Sequence, residues 1–215
     1  IARIELLNAY QMEISIKYSK LDHLEPKPTL FYEFHGTEIA NKESVSLVGD
    51  ISNNNGGSQF KWAENTEDRN KLWKARHEVY YSVKALRPNT RVYTTDACVP
   101  ISRLAECIKF TEEKIKEYGL QAPIVGHAGD GNFHCTVLYD PKNKEEHKTI
   151  REFSNELINK TLELDGTVTG EHGIGINKKE YLIKQHEDNI PLMQLIKKNI
   201  DPNNIMNPGK IFDIN

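Results

Sequence analysis

Cysteine is scarce in this chain. There are three, Cys98, Cys107 and Cys135, in no C-x-x-C pair and no regular spacing. An odd and sparse count excludes a disulfide framework and reads as reduced, small buried side chains. Long apolar runs are also lacking, so no stretch of sequence has the length of a membrane-spanning helix. Charge of one sign is lacking too: 28 basic residues stand against 31 acidic ones, a net charge of −3. That balance gives no reason to expect nucleic acid or an anionic membrane surface as a partner. No G-x-G-x-x-G lies between a strand and a helix, which excludes a Rossmann nicotinamide site. Internal repeats and low-complexity tracts are missing as well.

What is present suits a folded protein. The chain has 215 residues, 38% apolar and 27% charged. That is enough to bury a sizeable core in one large domain, or one domain and a tail. The first residue is Ile1. With no Met and no signal-like start, the chain reads as a piece of something longer.

The hydrophobic pattern alternates between helix and strand. Ile4, Leu7 and Ile14 fit a helix over Ala2–Tyr18. Thr29–His35 alternates as a strand, and a weak helix follows over Glu38–Val48. Ser52–Ser58 reads as a polar turn and Gln59–Ala63 as a short strand. Thr66–Leu86 reads as one helix with Thr66 as its cap and Pro88 beyond its end. Arg91–Thr95 has strand composition. Ser102–Tyr118 is a helix with Ser102 as cap and Gly119 as stop. Ala122–His127 and Asn132–Tyr139 form a hairpin about a Gly-Asp-Gly turn. Glu145–Leu164 and Pro191–Asn199 close the series as helices. Strands mixed with helices, including a hairpin, predict an α+β fold: an antiparallel or mixed sheet with helices packed on one side.

Three segments carry chemistry. In Gly126-His-Ala-Gly-Asp-Gly-Asn-Phe-His134, a tight reversal can bring His127 and His134 to one side of a hairpin. Two imidazoles so placed suit a borderline divalent ion, while a glycine turn flanked by two surface histidines is the plainer alternative. In Thr169-Gly-Glu-His-Gly-Ile-Gly175, Glu171 could complete a His-His-Glu set and His172 could serve as a general base. A flexible loop or a phosphate-cradling loop would have the same glycines. In Leu72-Trp-Lys-Ala-Arg76, an arginine beside an apolar stripe can clamp a carboxylate through two parallel hydrogen bonds, or be an ordinary solvated arginine.

The segments GHAGDGNFH, TGEHGIG and DPNNIMNPGK, with LFYEFHG, LWKARHEVYYSVKALRP and TTDACVPISRL in the same order, resemble the C-terminal half of FAD-linked oxidases of the vanillyl-alcohol-oxidase type. The resemblance covers essentially the whole chain. It implies a cap domain over residues 1–188 and a helix and tail over 189–215 that returns toward an N-terminal FAD-binding domain. It implies His127, His134 and Glu171 as ligands of a divalent metal, zinc or manganese. It further implies His172 as catalytic base, Arg76 as the holder of the substrate carboxylate, and Asn207 and Lys210 near bound FAD.

The implied activity is oxidation of a D-2-hydroxy acid to the 2-oxo acid by hydride transfer to flavin. A cytochrome c or quinone-type acceptor and a mitochondrial location go with it. Members acting on 2-hydroxyglutarate carry a lysine before the Asp-x-x-x-Pro segment. Here Thr94-Thr95-Asp96 has no basic residue, which favours a monocarboxylate such as lactate over 2-hydroxyglutarate, with glycolate as a further alternative. From the residues alone, a metal-binding fragment without redox activity and a metallohydrolase also remain open.

Overall fold

A computed structural model describes residues 1–22, 24–57, 60–63 and 65–214. In chain order the strands are β1 (Arg3–Leu7), β2 (Thr29–Glu33), β3 (Arg91–Thr94), β4 (Ala97–Cys98), β5 (Ile124–His127) and β6 (Asn132–Tyr139). The helices are α1 (Ala9–Ser19), α2 (Glu38–Asn54), α3 (Thr66–His77), α4 (Val79–Lys84), α5 (Ile101–Glu117), α6 (Lys144–Glu163), α7 (Lys179–His186) and α8 (Ile190–Ile200). The fold is α+β, with an antiparallel sheet and packed helices. Among the described residues, no helix is long and apolar enough to cross a membrane.

The chain divides into two compact units that interleave in sequence. The first takes Ile1–Thr94, Gln121–Gly129 and Phe133–Lys144. Its strands run in the order β2-β1-β5-β6-β3. β1 pairs antiparallel with β2 and with β5, and β3 pairs antiparallel with β6. In an antiparallel ladder, residues directly opposite share a face. Glu5 lies opposite both Phe31 and His127, and Leu7 lies opposite Val125. Leu7, Phe31 and Val125 pack on Met12 of α1, Trp73 of α3 and Val79 of α4. That face is therefore the covered one. Fully burying each such side chain stabilises the fold by about 1.5–3 kcal/mol.

Residues 3–7 form a strand where helical spacing predicts a helix. Only three apolar positions support that periodicity, and β1 gains hydrogen-bonded neighbours on both sides instead. Asn8 then starts the helix proper. Its Oδ1 accepts the Gln11 N–H at 3.0 Å, capping α1, and the Ile124 N–H at 3.1 Å at the head of β5. The expected helix over 66–86 is two helices. Its cap is Asn65, which accepts the Asp68 N–H, and not Thr66. Glu78 leaves helical geometry at φ −90°, ψ 3°, and its carboxylate accepts the Ser19 hydroxyl. The helix expected over 38–48 runs on to Asn54, through part of the expected polar turn. Ser58 and Gln59 lie outside the described residues, and 60–63 form no strand.

The second unit takes Thr95–Leu120, Asp130–Asn132 and Glu145–Asn215, so the expected tail over 189–215 lies within it. α5 buries Leu104, Cys107 and Thr111, spaced three and four apart. α6 buries Ile150, Phe153, Leu157 and Thr161 at the same kind of spacing. These stripes are the apolar faces of amphipathic helices. The two helices are also tied side by side. Tyr118 Oη donates to Glu156 at 2.6 Å, and Lys114 pairs with Glu156 at 2.7 Å. α5 starts at Ile101, one residue before the expected Ser102, and its cap position, Pro100, makes no side-chain cap hydrogen bond. α7 was not legible in the sequence; Lys184 fixes it to Asn159 of α6 at 2.8 Å.

Candidate functional site

The first unit brings His127 and His134 together on the covered sheet face. The Thr136 N–H donates to Pro123 O at 3.1 Å, which sets Val125 opposite His134 in the antiparallel hairpin. The two imidazoles lie with ring centroids 5.9 Å apart and planes at 85°. His134 is buried, and the His127 side chain is 30% exposed.

Glu5 is the centre of this face. Its side chain is 4% exposed, with Oε1 2.9 Å from His127 Nδ1 and Oε2 2.9 Å from Arg76 Nε. Burial alone would raise the Glu5 pKa. The His127 hydrogen bond and the Arg76 charge outweigh it and hold the carboxyl below its ordinary range. An ionised carboxylate only accepts hydrogen bonds, so His127 Nδ1 is the donor of this pair. Arg76 thus meets a carboxylate of its own protein, using one of the guanidinium's five N–H donors.

The second unit brings Glu171 and His172 together in the glycine loop. His172 Nε2 lies 3.6 Å from Glu171 Oε1, and His172 Nδ1 lies 3.9 Å from Asp96 Oδ2. Both side chains are about half exposed. The loop is wrapped on Asp96, whose side chain has no exposed surface. Asp96 accepts from the backbone N–H of His172 at 2.9 Å, from that of Glu171 at 3.2 Å and from Asn132 Nδ2 at 3.0 Å. Burial disfavours the charged form, yet these donors and the Lys178 charge keep Asp96 far below the ordinary carboxylate range.

The approach is close enough to require glycine. A Cβ on Gly170 would stand 2.2 Å from Asn132 Nδ2. Gly131 has the same constraint, at φ +76° with a would-be Cβ 2.0 Å from Val99 O.

Asn207 and Lys210 lie in the loop after α8. Lys210 N–H donates to Asn207 O at 3.3 Å, and Asp201 accepts from the backbone of Ile205 and Met206. Ile211 N–H donates to Gly175 O at 2.7 Å, so this loop is tied to the glycine loop of Glu171 and His172. Neither Glu5 nor Asp96 was expected as a site residue. Reading residues 3–7 as a strand would have put Glu5 on the face of Leu7, beside Arg3. Asp96 has no periodic signal; only the fold reveals it.

A similar fold occurs in 4-ethylphenol oxidase from Gulosibacter chungangensis, solved as its isoeugenol complex. The match has a TM-score of 0.64 at 17% identity and covers 98% of this chain and 48% of that one. In that protein the matching fold makes up about half of the chain. A family model described as FAD linked oxidases, C-terminal domain, matches residues 1–211, and the chain belongs to that family. A protein named probable D-lactate dehydrogenase, mitochondrial, from Danio rerio is 43% identical over 215 residues, all of this chain and 43% of the relative. A D-lactate dehydrogenase [cytochrome], mitochondrial, from Arabidopsis thaliana is 38% identical over 99% of this chain and 37% of its own length. A glycolate oxidase subunit from Bacillus subtilis is 32% identical over 98% of this chain and 45% of its own. The chain thus spans less than half the length of these relatives.

Proposed function

We propose that this chain is the substrate- and metal-binding part of an FAD-linked D-2-hydroxy-acid dehydrogenase that oxidises D-lactate to the 2-oxo acid. The observation that carries the reading is the buried Glu5 carboxylate on His127 Nδ1. A carboxylate behind an imidazole is the usual support of a metal-binding histidine, because it fixes the tautomer and raises ligand basicity. In this reading His127, His134 and Glu171 hold a divalent ion, zinc or manganese, a nitrogen-and-oxygen donor set suited to either.

A bound ion would supply Lewis-acid polarisation of the substrate hydroxyl. FAD, held mainly by a domain outside this chain, would supply the hydride acceptor. The chain's own side chains do the rest. Arg76 holds the substrate carboxylate and orients its Cα–H. Nε2 of His172 takes the hydroxyl proton. The imidazolium so formed lies near the Asp96 carboxylate, which stabilises its charge. Asn207 and Lys210 border the FAD. A cytochrome c or quinone-type acceptor, a mitochondrial location and inactivity of this chain without its FAD domain complete the proposal. The Bacillus subtilis relative supports glycolate as a second substrate.

The test uses the full-length protein that carries this chain. D-lactate turnover with a dye acceptor and elemental analysis are measured for the wild type, His172→Ala and His127→Ala. His172→Ala is expected to lose most of kcat with little change in KM, and His127→Ala to lose metal. Normal turnover by the first variant would sink the base assignment, and equal metal content in the second would remove the metal site.

A further inference from the structure

We propose that Asp96 is the positioning residue of the glycine loop, setting where Glu171 and His172 present their side chains. This deepens the functional reading and rests on it for the roles of those two residues. Donors from separate segments converge on this one carboxylate. Oδ1 accepts from Asn132 Nδ2 at 3.0 Å and from the Glu171 N–H at 3.3 Å. Oδ2 accepts from Thr169 Oγ1 at 3.0 Å, from the His172 N–H at 2.9 Å and from Lys178 Nζ at 3.4 Å.

Donors face both oxygens, so no neutral side chain of the same shape can replace it. An amide would turn one branch into a donor that opposes them. Two consecutive backbone N–H groups held by one buried anion fix the two peptide planes on either side of Glu171, and with them the directions in which Glu171 and His172 leave the backbone. The rest of the cluster braces the anion. Asn132 is also bonded to Ala97 O at 3.0 Å, and Lys178 to Val168 O at 2.8 Å. Gly170 lets the loop come near enough for these bonds to form.

Asp96→Asn in the full-length protein tests this. Expected are unchanged far-UV circular dichroism, Mn²⁺ affinity weakened about 10–100-fold, and kcat lowered far more than KM for D-lactate. The backbone N–H groups of Glu171 and His172 are expected to exchange with deuterium faster than in the wild type. A lower Tm with wild-type kcat, Mn²⁺ affinity and loop exchange would make Asp96 a purely structural residue and overturn the proposal.

Should Asp96→Asn fail to fold, Thr169→Val decides. It removes one neutral donor and keeps the charge, so a loss of about 2- to 10-fold in Mn²⁺ affinity is expected; none would overturn the proposal. A wild type that neither binds Mn²⁺ nor oxidises D-lactate would sink the functional reading instead. The exchange comparison would then still decide whether Asp96 holds the loop.

Discussion

Glu5→Gln tests the arrangement on the sheet face directly. The substitution keeps the shape and removes the charge. The glutamine oxygen can accept from Arg76 Nε or from His127 Nδ1, and the amide NH₂ is then set against the other donor. One charge-assisted bond is lost, worth about 1.5–3 kcal/mol. Arg76, 19% exposed, also loses its counter-charge. Full removal of a buried partner costs about 3–5 kcal/mol, and the retained bond brings the expectation to about 3 kcal/mol. For a chain of 215 residues that lowers Tm by roughly 6–12 °C.

Glu33→Gln is the control, since Glu33 meets two exposed partners, Arg3 at 3.8 Å and His35 at 3.2 Å. Such a surface pair is worth about 0–1 kcal/mol. Differential scanning calorimetry gives the two shifts, and Mn²⁺ titration should show about 10–100-fold weaker binding for Glu5→Gln alone. A Glu5→Gln shift no larger than the control's would refute the view that this carboxylate organises the face.

Two other expectations follow from particular side chains. Asn8→Ala removes a helix cap worth about 0.5–2 kcal/mol and strands the Ile124 N–H at a further ~1–3 kcal/mol. Urea denaturation should therefore show a larger loss than a simple cap deletion gives. Burial pushes the Cys107 thiol up to about 11, against a smaller opposing effect of the Thr161 hydrogen bond. The folded thiol keeps its proton longer than the unfolded one, so its contribution to stability is full below pH 9 and falls as pH rises toward 11. In the native protein Cys107 should resist a thiol-specific reagent at pH 8, and rapid labelling would refute this.

Much of the fold was legible where the sequence repeats a period over several turns. α5 was legible from the Gly119 stop beyond its end, with each bound one residue off, and the β5–β6 hairpin from its glycine turn. Residues 3–7 were misread because five residues are too few to separate a strand from a helix by spacing. The break at Glu78 depends on Ser19, a partner 59 residues away in sequence. The site divides in the same way. His127 and His134 could be paired because one hairpin joins them, and Glu171 with His172 because they are neighbours. Glu5 and Asp96 act through partners up to 122 and 82 residues distant. No local pattern encodes such distances.

The place of β1 has a practical consequence for dissecting this protein. Leading residues are usually the safest to trim. Here Arg3–Leu7 lie between β2 and β5 and hydrogen-bond to both. A version starting at Asn8 would leave two facing strands without their shared ladder. It would also delete the carboxylate behind His127. Shortening this segment from that side would therefore remove the Glu5 carboxylate together with sheet, and weaker Mn²⁺ binding by such a version would say nothing about His127 itself.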